Sequence, residues 1–285
     1  MGSVGDSLAG ALVIALVAGL LVGAILLGRV LLPLLGARAT VRFRAEPIPD
    51  AWSPILDRNV PLARGLSADD RQRLLRLVQV FLHDKPFEGG GGLAITEEIK
   101  VTIAAHACLL WLHLDGPCFP TVHRILVYPT AFVPKFAPQY RSQHIAPVPV
   151  PLRGEAWRDG VVILSWDDVR AGAANPAEGE NVVLHEFAHQ LDYEDGAGEG
   201  TPILESPSLL RTWARVLSTH YEQLRRDAQA GRPTVLNAYG ATNLTEFFAV
   251  ATETFFAKPQ ELRAAEPQLY EELEAYYRQD PAARP

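Results

Sequence analysis

At 285 residues, 48% of them hydrophobic, the chain can bury a substantial core and is too apolar to stay disordered. A net charge of −7 leaves no basic footprint for nucleic acid. The only two cysteines, Cys108 and Cys118, lie outside any CxxC spacing, which excludes a disulfide scaffold and a thiolate metal cluster; as free thiols they suit a reducing compartment.

Leu8–Leu27 is an uncharged run of Leu, Ala, Val, Ile and Gly, long enough to cross a bilayer core of about 30 Å. A cleaved signal peptide would want a basic flank, but Met1–Ser7 holds only Asp6. The run therefore predicts a transmembrane anchor over residues 1–37, giving a single-pass, membrane-anchored protein. Arg29, Arg38, Arg42 and Arg44 all follow the run, which predicts a cytoplasmic face for everything after it. Residues 38–49 read as a linker broken by Pro47 and Pro49, and residues 50–285 as the globular domain.

Ser67 starts a helix carrying Asp69 and Asp70 in its first turn and Leu74, Leu75, Val78 and Leu82 at helical spacing. Gly89–Gly92 reads as a turn, and Thr96 caps a second helix to about Leu114 with Ile103, Ala107 and Leu110 on one face. The two histidines of that helix, His106 and His113, read as packed or solvated side chains before metal ligands. Arg124–Tyr128 and Val161–Ser165 read as buried strands, with a Pro-rich loop over Pro134–Pro151 between them. Helices follow over Asn181–Asp192, Leu209–Arg226, Thr245–Ala257 (stopped by Pro259) and Glu266–Arg278. The expected fold class is α+β, mostly helical with a small sheet.

The motif that carries chemistry is His185-Glu186-Phe187-Ala188-His189. Residues four apart share one helix face, so both imidazoles can reach one zinc ion, with Glu186 beside them to take a proton from an attacking water. Val182, Val183, Leu184, Phe187, Ala188 and Leu191 make the helix largely buried, and buried ionisable groups need partners or a metal. Two histidines leave a catalytic zinc one protein ligand short. The remaining carboxylates are Glu194, Glu199 and Glu205 in a Gly-rich loop, and Glu246 and Glu253, which share one face of a later helix. Residue chemistry leaves Glu246 and Glu253 open.

The segments His185–Asp192, Tyr239–Asn243 and Thr245–Glu253, with Phe87-Glu88-Gly89, Val101–Ala105 and Ile125–Pro129, resemble the Mlc titration factor family over roughly residues 50–280. That resemblance implies a zincin-like, zinc-dependent metallopeptidase domain with a catalytic core similar to that of anthrax lethal factor. In the family the third ligand is a Glu seven residues after a Tyr, a spacing that Tyr239 and Glu246 match. It thus implies His185, His189 and Glu246 on Zn2+, Glu186 as general base and Tyr239 as donor to the oxyanion. Glu253 is left a supporting role, and Asp192 one of orienting a histidine. The expected function is hydrolysis of a peptide or protein substrate by a gluzincin-like scheme, with Val161–Ser165 as the edge on which an extended peptide docks. The competing class is a binding protein that sequesters a transcriptional regulator, with zinc structural or vestigial; the family's named partner is a repressor of sugar-uptake genes. An intact Glu186 argues for the enzyme, since a structural site has no use for a general base.

Overall fold

The computed structural model describes residues 46–131, 154–156, 160–175, 178–194, 196 and 198–284. Side-chain caps open most of its longer helices. Ser67 accepts from Asp70 N at 3.1 Å to start α2 (Ala68–Asp84), which follows a short α1 (Trp52–Asn59). Thr96 accepts from Ile99 N and starts α3 (Glu97–Leu110). Every residue of α3 from Val101 to Leu110 is buried, where the sequence suggested one apolar face. The small side chains Ala104, Ala105 and Ala107 let α2, α1 and the motif helix close around it.

Four strands form one mixed sheet: β1 (Phe87–Gly89), β2 (Arg124–Tyr128), β3 (Gly154–Ala156) and β4 (Val161–Ser165), in the order β1-β2-β4-β3. The first two and β4 run parallel, and β3 pairs antiparallel to β4 along one edge. Ile125 and Val127 of β2 and Val162 and Leu164 of β4 are fully buried. The strand expected to offer a free edge, Val161–Ser165, is therefore enclosed between β2 and β3. The edge beside it belongs to β3, which packs against the motif helix.

Ser165 ends β4 and caps α4 (Trp166–Ala174) by accepting from Asp168 N. The motif helix α5 (Val182–Asp192) follows, then α6 (Pro207–Gln229), α7 (Leu244–Ala257), α8 (Pro259–Ala265) and α9 (Pro267–Tyr277). Pro259 does not merely stop a helix; it occupies the first turn of α8, where its missing N–H costs nothing. Asn243 caps α7 by accepting from Glu246 N at 2.9 Å, and the hydroxyl of Thr245, in the first turn, donates to Gly198 O. Helix α7 is buried from Phe247 to Phe256 and packs along α5.

The membrane expectation is corrected. Among the described residues no helix is long and apolar enough to cross a membrane. The longest, α6, buries only Trp213, Val216, Leu217 and Leu224 and turns polar residues outward. The single-pass anchor and the location inferred from it are withdrawn; the run they were read from, Leu8–Leu27, lies outside the described residues. Cys108 and Cys118 are both buried free thiols.

Candidate metal centre

Helix α5 places His185 and His189 one turn apart, and α7 brings Glu246 to them from across the core. His185 Nε2 stands 3.0 Å from Glu246 Oε2 and 3.1 Å from His189 Nε2, and His189 Nε2 stands 3.4 Å from Glu246 Oε2. Donors bound to one tetrahedral zinc at about 2.0–2.1 Å sit about 3.3 Å apart. The three atoms thus already outline one face of such a site, and they form the one cluster of this kind among the described residues.

Glu253, two turns further along α7, makes different contacts. Its Oε1 accepts from His185 Nδ1 at 2.6 Å, and its Oε2 accepts from the backbone N–H of Asn181 at 2.6 Å. Asn181 in turn caps α5 by accepting from Leu184 N. One carboxylate therefore ties the start of α5 to a histidine ring, and by occupying Nδ1–H it leaves the Nε2 lone pair facing Glu246 and His189. Asn181 as this link was not legible in the sequence beyond its place at the helix start.

Electrostatics favour positive charge at this point. Burial opposes a charge on His185, but Glu253 and then Glu246 raise its pKa well above the usual histidine range. Burial alone would raise Glu246; hydrogen bonds from His185 and His189 pull it far below a normal carboxyl. Glu186 is 6% exposed. It makes no side-chain hydrogen bond among the described residues, and burial pushes it up to about 7 against the pull of His185 and His189. Tyr239 lies in a short helical turn (Ala238–Ala241) begun by Asn237, which accepts from Tyr239 N. Its ring centroid is 6.0 Å from that of His185 and the side chain is half exposed. Burial, and then the negative charge of Glu246, raise its hydroxyl to about 12.

Asp192 does not reach a histidine. Its Oδ1 accepts from Thr201 N at 2.7 Å, while Asp192 Oδ2 and His189 Nδ1 are both buried without a hydrogen-bond partner among the described residues. His189 is instead backed by Tyr193, whose ring stacks on it at 6.0 Å with 15° between the planes; no pattern in the sequence marked Tyr193. His106 donates Nδ1–H to Thr102 O and His113 pairs with Asp70, so neither belongs to the cluster. Glu194 and Glu205 are not members of it; they line one cavity together.

Residues 36–278 match the glucose-regulated metallo-peptidase M90 family. The chain belongs to this family. It is 39% identical over 237 residues to uncharacterised protein slr2042 of Synechocystis sp., covering 83% of this chain and 86% of that one. It is 32% identical to Mlc titration factor A of Serratia proteamaculans (79% and 86% covered) and 30% identical to that of Cronobacter sakazakii (84% and 88% covered). A metallopeptidase family implies a metal, and the residues of this M90 chain fit one. Two imidazole nitrogens and a carboxylate oxygen converge, and Glu253 holds one ring in the tautomer that coordination needs.

Proposed function

We propose that this M90 chain is a zinc-dependent peptidase with a zincin-like catalytic domain, His185, His189 and Glu246 holding the metal. The observation that carries the reading is the convergence of those three donors beside a buried carboxylate, Glu186, that has no other hydrogen-bonding duty among the described residues. Two imidazoles and one carboxylate are a donor set suited to zinc, with the fourth position left for chemistry. When bound, zinc supplies a Lewis acid that acidifies water and polarises a carbonyl.

The chain's own residues do the rest. Glu186 accepts the proton of the attacking water and returns it to the leaving amine. Tyr239, half exposed and beside His185, donates its hydroxyl proton in a hydrogen bond to the oxygen that gains charge as the carbonyl becomes tetrahedral. Glu253 keeps His185 oriented throughout. An extended peptide docks along the outer edge of β3, whose partner β4 occupies only one side and which packs on α5.

A second role has its own support in the relatives named Mlc titration factor A, whose name describes titration of a regulator. Under that reading the same β3 edge and metal centre hold a regulatory protein without cutting it. Metal content and hydrolysis of a short peptide panel, wild type beside Glu186→Gln, test the choice. Zinc with hydrolysis that Glu186→Gln abolishes supports the peptidase; zinc with no hydrolysis in either chain favours the binder.

A further inference from the structure

The chain that leaves α5 is fastened on several sides. Asp192 holds Thr201 N, Trp213 Nε1 donates to Gly200 O at 3.1 Å, and Thr245 Oγ1 donates to Gly198 O at 2.9 Å. It thus leans on the first turn of α7, next to Glu246. Its residues Glu194, Ile203, Leu204 and Glu205 also wall a cavity of about 450 Å3, closed on other sides by Trp111, Leu114 and Tyr276.

Three properties of this cavity point to one kind of occupant. Its walls are largely apolar, and Ile203 and Leu209 stand open at it, 57% and 46% exposed. Its one lining cation among the described residues, Arg278, is already committed, to Asp115 at 2.7 Å and to Glu205. Glu194, at the foot of the metal helix, has no hydrogen bond or ion pair from its side chain among the described residues, and burial pushes it up to about 7. An apolar walled space with one unmatched carboxylate suits a long aliphatic stem ending in a cation. A purely apolar group would leave Glu194 desolvated and unpaired, and an acidic group would meet Glu194, Asp115 and Glu205. A divalent metal would need more carboxylates than the single one Arg278 leaves free.

We propose that this cavity binds a lysine or arginine side chain of the peptide substrate, its stem along Trp111 and Leu114 and its cationic head on Glu194. The inference rests on the peptidase reading for calling that peptide a substrate. Tyr193 gives the geometric link: it stacks on His189, and Glu194 follows it directly. A side chain seated here would anchor a peptide at the C-terminal end of α5, the helix that carries His185 and His189.

The test uses the metal-loaded full chain carrying Glu186→Gln, so that peptides are not consumed. Three labelled decapeptides differ at one central residue: lysine, norleucine or glutamate. Fluorescence anisotropy should show lysine bound about ten- to hundredfold more tightly than norleucine, the worth of a charge-assisted hydrogen bond, with glutamate weakest. Adding Glu194→Gln should bring lysine down to the norleucine level and leave norleucine unchanged, and Glu194→Lys should reverse the order of lysine and glutamate. Equal binding of lysine and norleucine, no binding of any peptide, or a lysine preference that survives Glu194→Gln overturns the proposal. Cleavage of the same peptides by the chain with Glu186 intact is scored separately. Cleavage with no preference sinks the cavity and spares the peptidase; selective binding without cleavage spares the cavity and sinks the peptidase.

Discussion

Glu253 and His185 are joined through a 2.6 Å hydrogen bond to Nδ1, and the other oxygen of the same carboxylate holds the backbone N–H of Asn181. The ring and the helix that carries it are thus positioned by one side chain from α7. Glu246, two turns earlier, faces both Nε2 atoms. Removing a group that orients a ligand costs about 10–100-fold in metal affinity, and removing a ligand costs more. Glu246→Ala should therefore lose most of its zinc after mild chelation, while Glu253→Ala retains zinc before chelation and releases it about 10–100-fold more readily than wild type. Metal analysis across a chelator series checks both. A reversed order would make Glu253 the ligand.

Glu186→Gln removes the base and keeps the shape. It should fold, retain zinc, and lose peptide hydrolysis by about 10²–10⁴-fold, the usual contribution of a general base. Full activity in that variant, measured on metal-matched samples, would rule out the scheme proposed here.

Tyr239→Phe deletes one hydroxyl at a half-exposed position, so the fold should not notice. Loss of one oxyanion donor costs about 10²–10³-fold in kcat. Zinc content and KM should stay close to wild type. A change confined to KM would instead assign Tyr239 to substrate binding.

How much of this was legible in the sequence depends on the range of the interactions concerned. The i, i+4 geometry of His185 and His189 is local, so the motif helix and its partners Glu246 and Glu253 could be named, although their separate contacts could not. Ser67 and Thr96 announced their helices because a cap acts over three residues. The three-residue strands Phe87–Gly89 and Gly154–Ala156 are too short to show alternation, and missing β3 made Val161–Ser165 look like an edge. Pro259 read as a stop, yet it sits at a helix start, as Pro267 does, where both readings share one chemistry. Asp192 fell between two uses, and the backbone of Thr201 won over His189.

His106 gives the fold a pH dependence of its own. It is 1% exposed in α3, its Nδ1–H satisfied by Thr102 O and its Nε2 without a partner among the described residues, and burial lowers it from 6.5 to about 4. The folded chain therefore keeps His106 neutral where the unfolded chain binds a proton. Its contribution is intact above pH 6.5 and is lost as pH falls toward 4. A shift of this size corresponds to on the order of 2–4 kcal/mol. Urea titrations of wild type and His106→Leu at stepped pH should converge on the variant's favour through that window. The difference between the two curves is the readout, because buried carboxyls such as Asp192 slope the other way in both. Parallel curves would mean that His106 titrates normally.

Lys85 and Phe119 support the motif helix from behind. Lys85 Nζ donates to Phe119 O at 2.7 Å in a buried setting, and Phe119 holds a positive φ of 46°. Its ring lies 4.8 Å from Phe187 of α5 and 5.0 Å from Trp111. Lys85→Met keeps the stem and removes the donor, leaving the buried carbonyl without this partner at a cost of about 1–3 kcal/mol. Phe119→Gly sets two effects against each other. Glycine relieves a left-handed backbone conformation worth about 1–3 kcal/mol, whereas deleting a fully buried phenylalanine costs about 3–5 kcal/mol. The ring should win, so Phe119→Gly should be destabilised by a few kcal/mol and Phe119→Ala, which gains no relief, by more. Chemical denaturation ranks the three variants, and a Phe119→Gly chain as stable as wild type would show that backbone strain, not packing on Phe187, dominates at this corner.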